Sequence, residues 1–364
     1  MNIGIDISQI VYETGVSVYT ENLVTALISS TPDTYVLYGG SLRRQSQLRA
    51  FVSSVDAGTR VRAVISPLSP SLAHRLFNAP YAPYIDWFTG KLDVWHSSDW
   101  TQPRTKSYSV TTIHDLAPLI HPDLTPQGIR AVHQKRLHFV QKRADAIIVP
   151  THAVATDLMA HGFDESKIRV IPEATDQIYV PQSSSAIAQV REKYGIVGPY
   201  FLGIGVGKRK NTVRIVKAFK EFSKKHKGYS MVFTGRKSAD ISREKEINYL
   251  GHVDKSDLPA LYTGAEAIVY PSLYEGFGLP ILEGFACNVP VVTSALGSMK
   301  EVAKGAACLV DPYHSSAIAG GMKEAVKNRS SYIKKGSVVA KTYSWKTTAR
   351  LTHDVYLEAL TYNK

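Results

Sequence analysis

The sequence predicts an α/β fold of two doubly wound domains, each a parallel sheet covered by helices. Three observations lead there. Short β-rich runs alternate with helical patterns along the whole chain. Most of the runs are apolar without interruption, as in Ala146-Ile147-Ile148-Val149 and Ile268-Val269-Tyr270, which is how strands buried on both faces read. The 364 residues suit two domains at about 150 residues each.

Taken in order, the first strands are expected near 2–7, 35–38, 61–65, 93–96, 110–114, 146–149 and 168–171. The opening Met1-Asn2-Ile3-Gly4-Ile5-Asp6 reads as a buried strand and lacks the charged and apolar regions of a secretory leader. Val16, Tyr19, Leu23 and Leu27 then form one stripe of a helix. A second series is expected near 200–205, 230–234, 247–250, 267–270, 289–293 and 307–310. The stretch Gln177 to Ser185, with Pro181 and a serine run, reads as a linker, giving domains over 1–176 and 186–343. Ser344-Trp345 begins a terminal helix over 344–364, with Leu351, Val355 and Ala359 on one face, expected to close back over the first domain. Ligands of open parallel sheets bind beyond the carboxyl ends of the strands, so the two domains are expected to face a central cleft.

Composition excludes several classes. Hydrophobic residues make up 44% and charged residues 20%, an ordinary globular balance. No run reaches the roughly 18 apolar residues of a membrane-spanning helix. Two cysteines, Cys287 and Cys308, exclude a disulfide scaffold and point to a reducing compartment, the cytoplasm. The net charge of +12 is uneven: residues 1–172 carry +2 and residues 173–364 carry +10, and 191–255 alone holds 16 basic against 6 acidic residues. Such a field attracts an anion, whether a diphosphate, an anionic membrane surface or a nucleic acid. The stretch is poor in aromatics, which argues against nucleic acid.

The sharpest local signal runs from Pro271 to Glu283: Pro271-Ser272-Leu273-Tyr274-Glu275-Gly276-Phe277-Gly278-Leu279-Pro280-Ile281-Leu282-Glu283. A buried strand ends at Tyr270, a glycine loop follows, and Pro280 suits the first turn of a helix. Glycines let backbone approach a ligand, and a helix start offers free N–H groups to an anion. Glu275 in the loop and Glu283 in the helix can each accept two hydrogen bonds from a vicinal diol. An ordinary tight turn with two solvated or capping glutamates reads equally well from these residues alone. His114 closes the β-branched run Val110-Thr111-Thr112-Ile113 and is placed at a strand end beside Asp115.

This segment resembles the Glu-x7-Glu signature of glycosyltransferase family 4, retaining enzymes of the two-Rossmann (B-type) fold. The resemblance covers nearly the whole chain: the first strand, Thr14-Gly15-Val16 and the helix to Leu27; Thr112-Ile113-His114-Asp115-Leu116; Ala144 to Pro150; Lys167 to Pro172; Tyr249 to Val253, Asp257-Leu258 and Glu301 through Asp311-Pro312. It implies two Rossmann-like domains. It implies that Glu283 holds the nucleotide ribose, that Glu275 contacts the transferred sugar, and that backbone N–H groups around Phe277, Gly278 and Leu279 meet sugar and diphosphate. Gly15 would line the donor site and His114 would face the donor sugar. Lys210 and Arg209, in Arg209-Lys210-Asn211 after the strand Tyr200 to Gly205, would stabilise the leaving diphosphate, with Asn211 or Thr212 capping the next helix. The chain departs from the pattern at Val206, where many members carry arginine, at Asn288 and Lys304 in place of glycine, and at Glu173 in place of asparagine.

The implied activity is transfer of a hexose, with mannose and GDP-mannose favoured, from a nucleotide diphosphate sugar to a glycan or lipid-linked acceptor. No cofactor is expected. No metal is expected either, since Asp-x-Asp occurs nowhere in the chain. A nucleotide-sugar 2-epimerase on the same fold and a non-catalytic nucleotide-sugar-binding protein are the alternatives. The aromatic stretch 77–100 is expected mainly in the core, and the basic second half allows peripheral contact with the inner face of an anionic membrane.

Overall fold

The computed structural model describes residues 1–12, 14–55, 58–236 and 245–361. Residues 237–244 of the basic stretch and 362–364 of the expected terminal helix lie outside them. The chain divides into two compact units, Met1–Glu173 with Ser344–Lys364, and Ala174–Tyr343.

The first unit holds a seven-stranded sheet: β1 (Asn2–Asp6), β2 (Thr34–Gly40), β3 (Val61–Ser66), β4 (Val94–Ser97), β5 (Tyr108–Thr112), β6 (Ala146–Val149) and β7 (Ile168–Val170), in the order β3-β2-β1-β4-β5-β6-β7. The second holds six strands: β8 (Tyr200–Ile204), β9 (Ser230–Thr234), β10 (Ile247–Tyr249), β11 (Ala267–Tyr270), β12 (Val291–Ser294) and β13 (Cys308–Val310), in the order β10-β9-β8-β11-β12-β13. Every pairing is parallel. Both units are Rossmann-like, as the alternation of strand and helix predicts.

The apolar runs are strands because both faces of the sheet are covered. In the second unit Tyr200, Leu202, Ile268 and Val291 pack with Leu282 and Phe285 on one face. Their chain neighbours Phe201, Val269 and Val292 pack with Phe219 and Met322 on the other. That alternation with period two is the signature of a strand.

The terminal helix, Trp345–Leu357, does return to the first unit, started by the Ser344 hydroxyl accepting from Thr347 N–H at 3.2 Å. Its buried face differs from the expected one. Trp345, Thr348, Ala349, Thr352, Val355 and Tyr356 are buried, while Leu351 is only half-buried. The face is partly polar because it is held by specific bonds: Tyr356 Oη lies 2.6 Å from His96 Nδ1, His353 Nε2 lies 2.6 Å from Asp33, and Thr348 donates to the Pro172 carbonyl at 2.8 Å. The Trp345 ring meets Tyr19 edge-on at 5.7 Å.

The aromatic stretch divides. Phe77 and Trp95 are core residues, but Tyr81, Trp87 and Phe88 are 94%, 73% and 42% exposed. Cys287 and Cys308 are free and buried. Among the described residues no helix is long and apolar enough to cross a membrane.

Candidate active site

The order of the second sheet reverses between β8 and β11, so the loops that follow these two strands are neighbours at the point where an open parallel sheet receives ligands. The first loop leaves β8 through Gly205, whose φ of +75° suits glycine, and runs through Lys208, Arg209, Lys210 and Asn211 into the helix Thr212–Lys225. The second leaves β11 after Tyr270 and enters the helix Leu279–Ala286 at Gly278, where φ is +96°.

Asn211 joins them. It stands at the N-cap position in left-handed backbone (φ +62°), yet its side chain does not cap the helix as expected. Its amide instead donates to the Pro271 carbonyl at 3.0 Å and the Pro312 carbonyl at 2.6 Å. Leu273 N–H adds a bond to the Arg209 carbonyl at 2.9 Å.

This clamp brings three charged residues together. Lys210 Nζ donates to Glu275 Oε1 at 2.7 Å and to the Tyr270 hydroxyl at 2.6 Å. Arg209 Nη1 donates to Glu275 Oε2 at 2.5 Å and to the Tyr274 carbonyl at 3.2 Å. Glu275 is a loop residue but only 8% exposed. Burial alone would raise its pKa; the charges of Lys210 and Arg209 and the bonds they donate outweigh burial and hold it below the ordinary carboxylate value.

Glu283, on the helix that follows, behaves in the opposite way. It is half-buried and accepts a hydrogen bond from Tyr262 Oη. Burial pushes its carboxyl up to about 7, against the lowering influence of Tyr262, Tyr179 and Lys210. The two carboxylates eight positions apart are thus pushed in opposite directions by their surroundings, as in sites that divide roles between acids. Phe277 is buried with its ring against Tyr343 at 5.8 Å, so only its backbone can meet a ligand. The first N–H groups of the helix at Leu279, like those of any helix, have no partner within it.

The other two predicted residues belong to the first unit. His114 follows β5 by two positions, at the carboxyl end as expected. Its Nδ1 lies 2.8 Å from Glu173 Oε1, and its ring meets the Tyr19 edge at 4.5 Å. It lines a cavity with Asp6, Gln9, Thr20, Ser97 and Asp99. Asp115 caps locally, accepting from Ala117 N–H at 2.9 Å. Gly15 is the first residue of the helix Gly15–Ser30 and not part of a loop; a side chain there would meet nothing within 4 Å.

Tyr270, Tyr262, Tyr179 and Glu173 were not singled out as candidates from sequence. Tyr270 is a strand-end tyrosine five residues before Glu275, a detectable signal. Tyr179 and Tyr262 carry none, because their proximity to Glu283 exists only in three dimensions.

Comparison with known proteins follows the same division. Residues 14–177 match the family model described as Glycosyltransferase Family 4, and residues 198–339 match Glycosyl transferases group 1. The chain is a B-type glycosyltransferase. It is related to O-antigen chain mannosyltransferase B of Escherichia coli, 29% identical over 280 residues that cover 72% of this chain and 74% of that one. It is also similar to a D-inositol 3-phosphate glycosyltransferase of Paenarthrobacter aurescens (strain TC1), 24% identical over 95% of this glycosyltransferase and 93% of the relative. Its fold matches that of sucrose-phosphate synthase from Thermosynechococcus elongatus with a TM-score of 0.73 over 99% of both chains, at 16% identity. Among the described residues of this glycosyltransferase no group of three His, Cys, Asp or Glu could hold a metal ion.

Proposed function

We propose that this glycosyltransferase is a retaining hexosyltransferase that moves mannose from GDP-mannose to a hydroxyl of a glycan or lipid-linked acceptor. The observation that carries the reading is the Lys210–Glu275–Arg209 cluster at the switch point of the second sheet. Two cations on one buried carboxylate leave a net positive charge where a nucleotide diphosphate would lie, which is the charge a departing diphosphate needs. The choice of mannose rests on the relative named a mannosyltransferase.

In this reading Lys210 and Arg209 share their charge between Glu275 and the diphosphate. Glu283 accepts from the ribose diol, and backbone N–H groups at Phe277, Gly278 and Leu279 meet the sugar and phosphates. Both oxygens of Glu275 are engaged by cations, which favours a sugar-orienting role over that of a nucleophile. Transfer then goes by front-face attack. The bond from the anomeric carbon to the phosphate oxygen breaks, the bond to the acceptor oxygen forms on the same face, and the acceptor proton passes to the departing phosphate. Neutralisation by side chains makes the reaction metal-independent. Exposed Lys224, Lys225 and Lys227 offer a face for peripheral contact with anionic lipid at the inner side of a membrane.

Turnover of a panel of nucleotide sugars followed by mass spectrometry, with the product anomer assigned by NMR, tests this. GDP-mannose consumption with an α-linked product is expected. An inverted anomer would overturn retention, epimer formation without transfer would favour the epimerase, and preference for another donor would overturn the choice of mannose.

A further inference from the structure

Glu173 follows β7, is 5% exposed, and among the described residues bonds to a single side chain, His114. A buried carboxylate of this kind requires a partner, and leaving it unpaired costs several kcal/mol. The groups around the imidazole decide which charge that partner carries. Asp99 faces it from the loop after β4 but is paired with Arg136 Nη1 at 3.2 Å, on the helix Gln127–Arg143, so those two charges largely cancel. His96, on β4, is held neutral by burial, its pKa down to about 3, and its two nitrogens are engaged by Tyr356 and Thr112. Asp6, at the end of β1, is pushed toward its neutral form by burial and satisfied by Ser8 and Thr101. Tyr19, on the first helix, is neutral and bonded to Thr112. Among the described residues Glu173 is therefore the strongest charged partner of the His114 ring.

We propose that Glu173 is a positioning residue that holds His114 by Nδ1 as an imidazolium, so that Nε2–H is presented as a hydrogen-bond donor toward the anionic or hydroxyl oxygens of the bound sugar nucleotide. This rests on the reading of His114 as a donor-site residue. Neutral imidazole bound to a carboxylate through Nδ1–H leaves Nε2 a bare acceptor; protonation converts Nε2 into a donor without moving the ring. Burial opposes the charge on His114, but the Glu173 bond and charge outweigh it and raise its pKa above the ordinary 6.5, while Asp99 raises it and Arg136 lowers it in turn. Donor binding and turnover should therefore fall as pH rises through the raised pKa of His114.

The test is a histidine ring ¹⁵N–¹H titration of the full chain without substrate, with the His114 signal assigned by its loss in His114→Asn. Wild-type His114 is expected to titrate above 6.5, with Nδ1 protonated in its neutral form. In Glu173→Gln, which keeps the bond and removes the charge, the midpoint should fall by about one to three pH units, the range for one close opposite charge. The alkaline limb of kcat/KM should move by the same amount. A wild-type midpoint at or below 6.5, or an unmoved midpoint in folded Glu173→Gln, overturns the proposal. A shifted midpoint with an unmoved alkaline limb overturns its catalytic half. Because the titration uses no donor or acceptor, it stands or falls separately from the glycosyltransferase chemistry, and the wild-type midpoint decides even if Glu173→Gln does not fold.

Discussion

Lys210 Nζ lies 2.7 Å from Glu275 Oε1, although 65 residues separate the two in sequence. The same ammonium sits 4.6 Å from the centroid of the Tyr270 ring, the last residue of β11. It is thus held by a strand end and a loop, and its position does not depend on the long, flexible stem of a surface lysine.

Lys210→Ala should lower turnover by about 2–4 kcal/mol of transition-state stabilisation, the range for removing one preorganised charge stabiliser. The basic stretch should divide by distance. Lys224 and Lys225 end a 14-residue helix that rises about 1.5 Å per residue from the Lys210 loop. Combined neutralisation of Lys224, Lys225 and Lys227 should leave kinetics on a water-soluble acceptor unchanged and weaken binding to anionic vesicles at low salt. Equal kinetic losses in the two variants would contradict the division.

Asn211→Ala removes two bonds that join three segments and leaves the Pro271 and Pro312 carbonyls without that donor. Each such loss costs about 1–3 kcal/mol where the group stays buried. The variant should unfold at lower denaturant concentration and also lose turnover, because Arg209 and Lys210 are no longer registered against Glu275. Wild-type kinetics in a measurably destabilised variant would show that the clamp serves folding alone.

Nucleotide affinity should strengthen as pH rises from 6 to 8. Burial pushes the Glu283 carboxyl up to about 7, and its ionised form, with both oxygens able to accept, suits the two hydroxyls of a diol better than the protonated form. The stability effect has the opposite sign. A carboxyl raised from 4.5 in the unfolded chain contributes stability that is fully present below 4.5 and is lost as pH rises through about 7. Isothermal titration with GDP across this range, on wild type and Glu283→Gln, provides the check; a flat wild-type profile would remove Glu283 from the ribose site.

Transfer should survive excess chelator if, as proposed, Lys210 and Arg209 supply the charge that a divalent cation would otherwise bring to the diphosphate. Loss of activity with EDTA, restored by Mg²⁺ or Mn²⁺, would contradict this.

The strands were legible because burial on both sheet faces writes itself into uninterrupted apolar runs such as Ala146 to Val149. The strand-to-helix turn carrying Glu275 was legible through Gly278 and Pro280, whose backbone limits are local. What escaped is nonlocal. Asn211 reads as a cap from its neighbours, and only the arrival of Pro271 and Pro312 makes it a clamp. Leu351 fits a helical stripe on paper, but bonds to His96, Asp33 and Pro172 set the buried face of the terminal helix. The tyrosines around Glu283 follow the same rule, and so does Glu173.

The return of Trp345–Leu357 to the first unit sets an order of events on the ribosome. Residues 174–343 form a compact unit of their own. The first sheet, although translated earlier, waits for its last helix through the synthesis of that entire insertion, about ten to thirty seconds at 5–20 residues per second. During this interval Tyr19 and His96 lack Trp345 and Tyr356. The older half of the nascent chain therefore keeps this surface uncovered the longest, and a stop codon shortly before Ser344 would remove the partners of Tyr19 and His96 from the part of the protein that was made first.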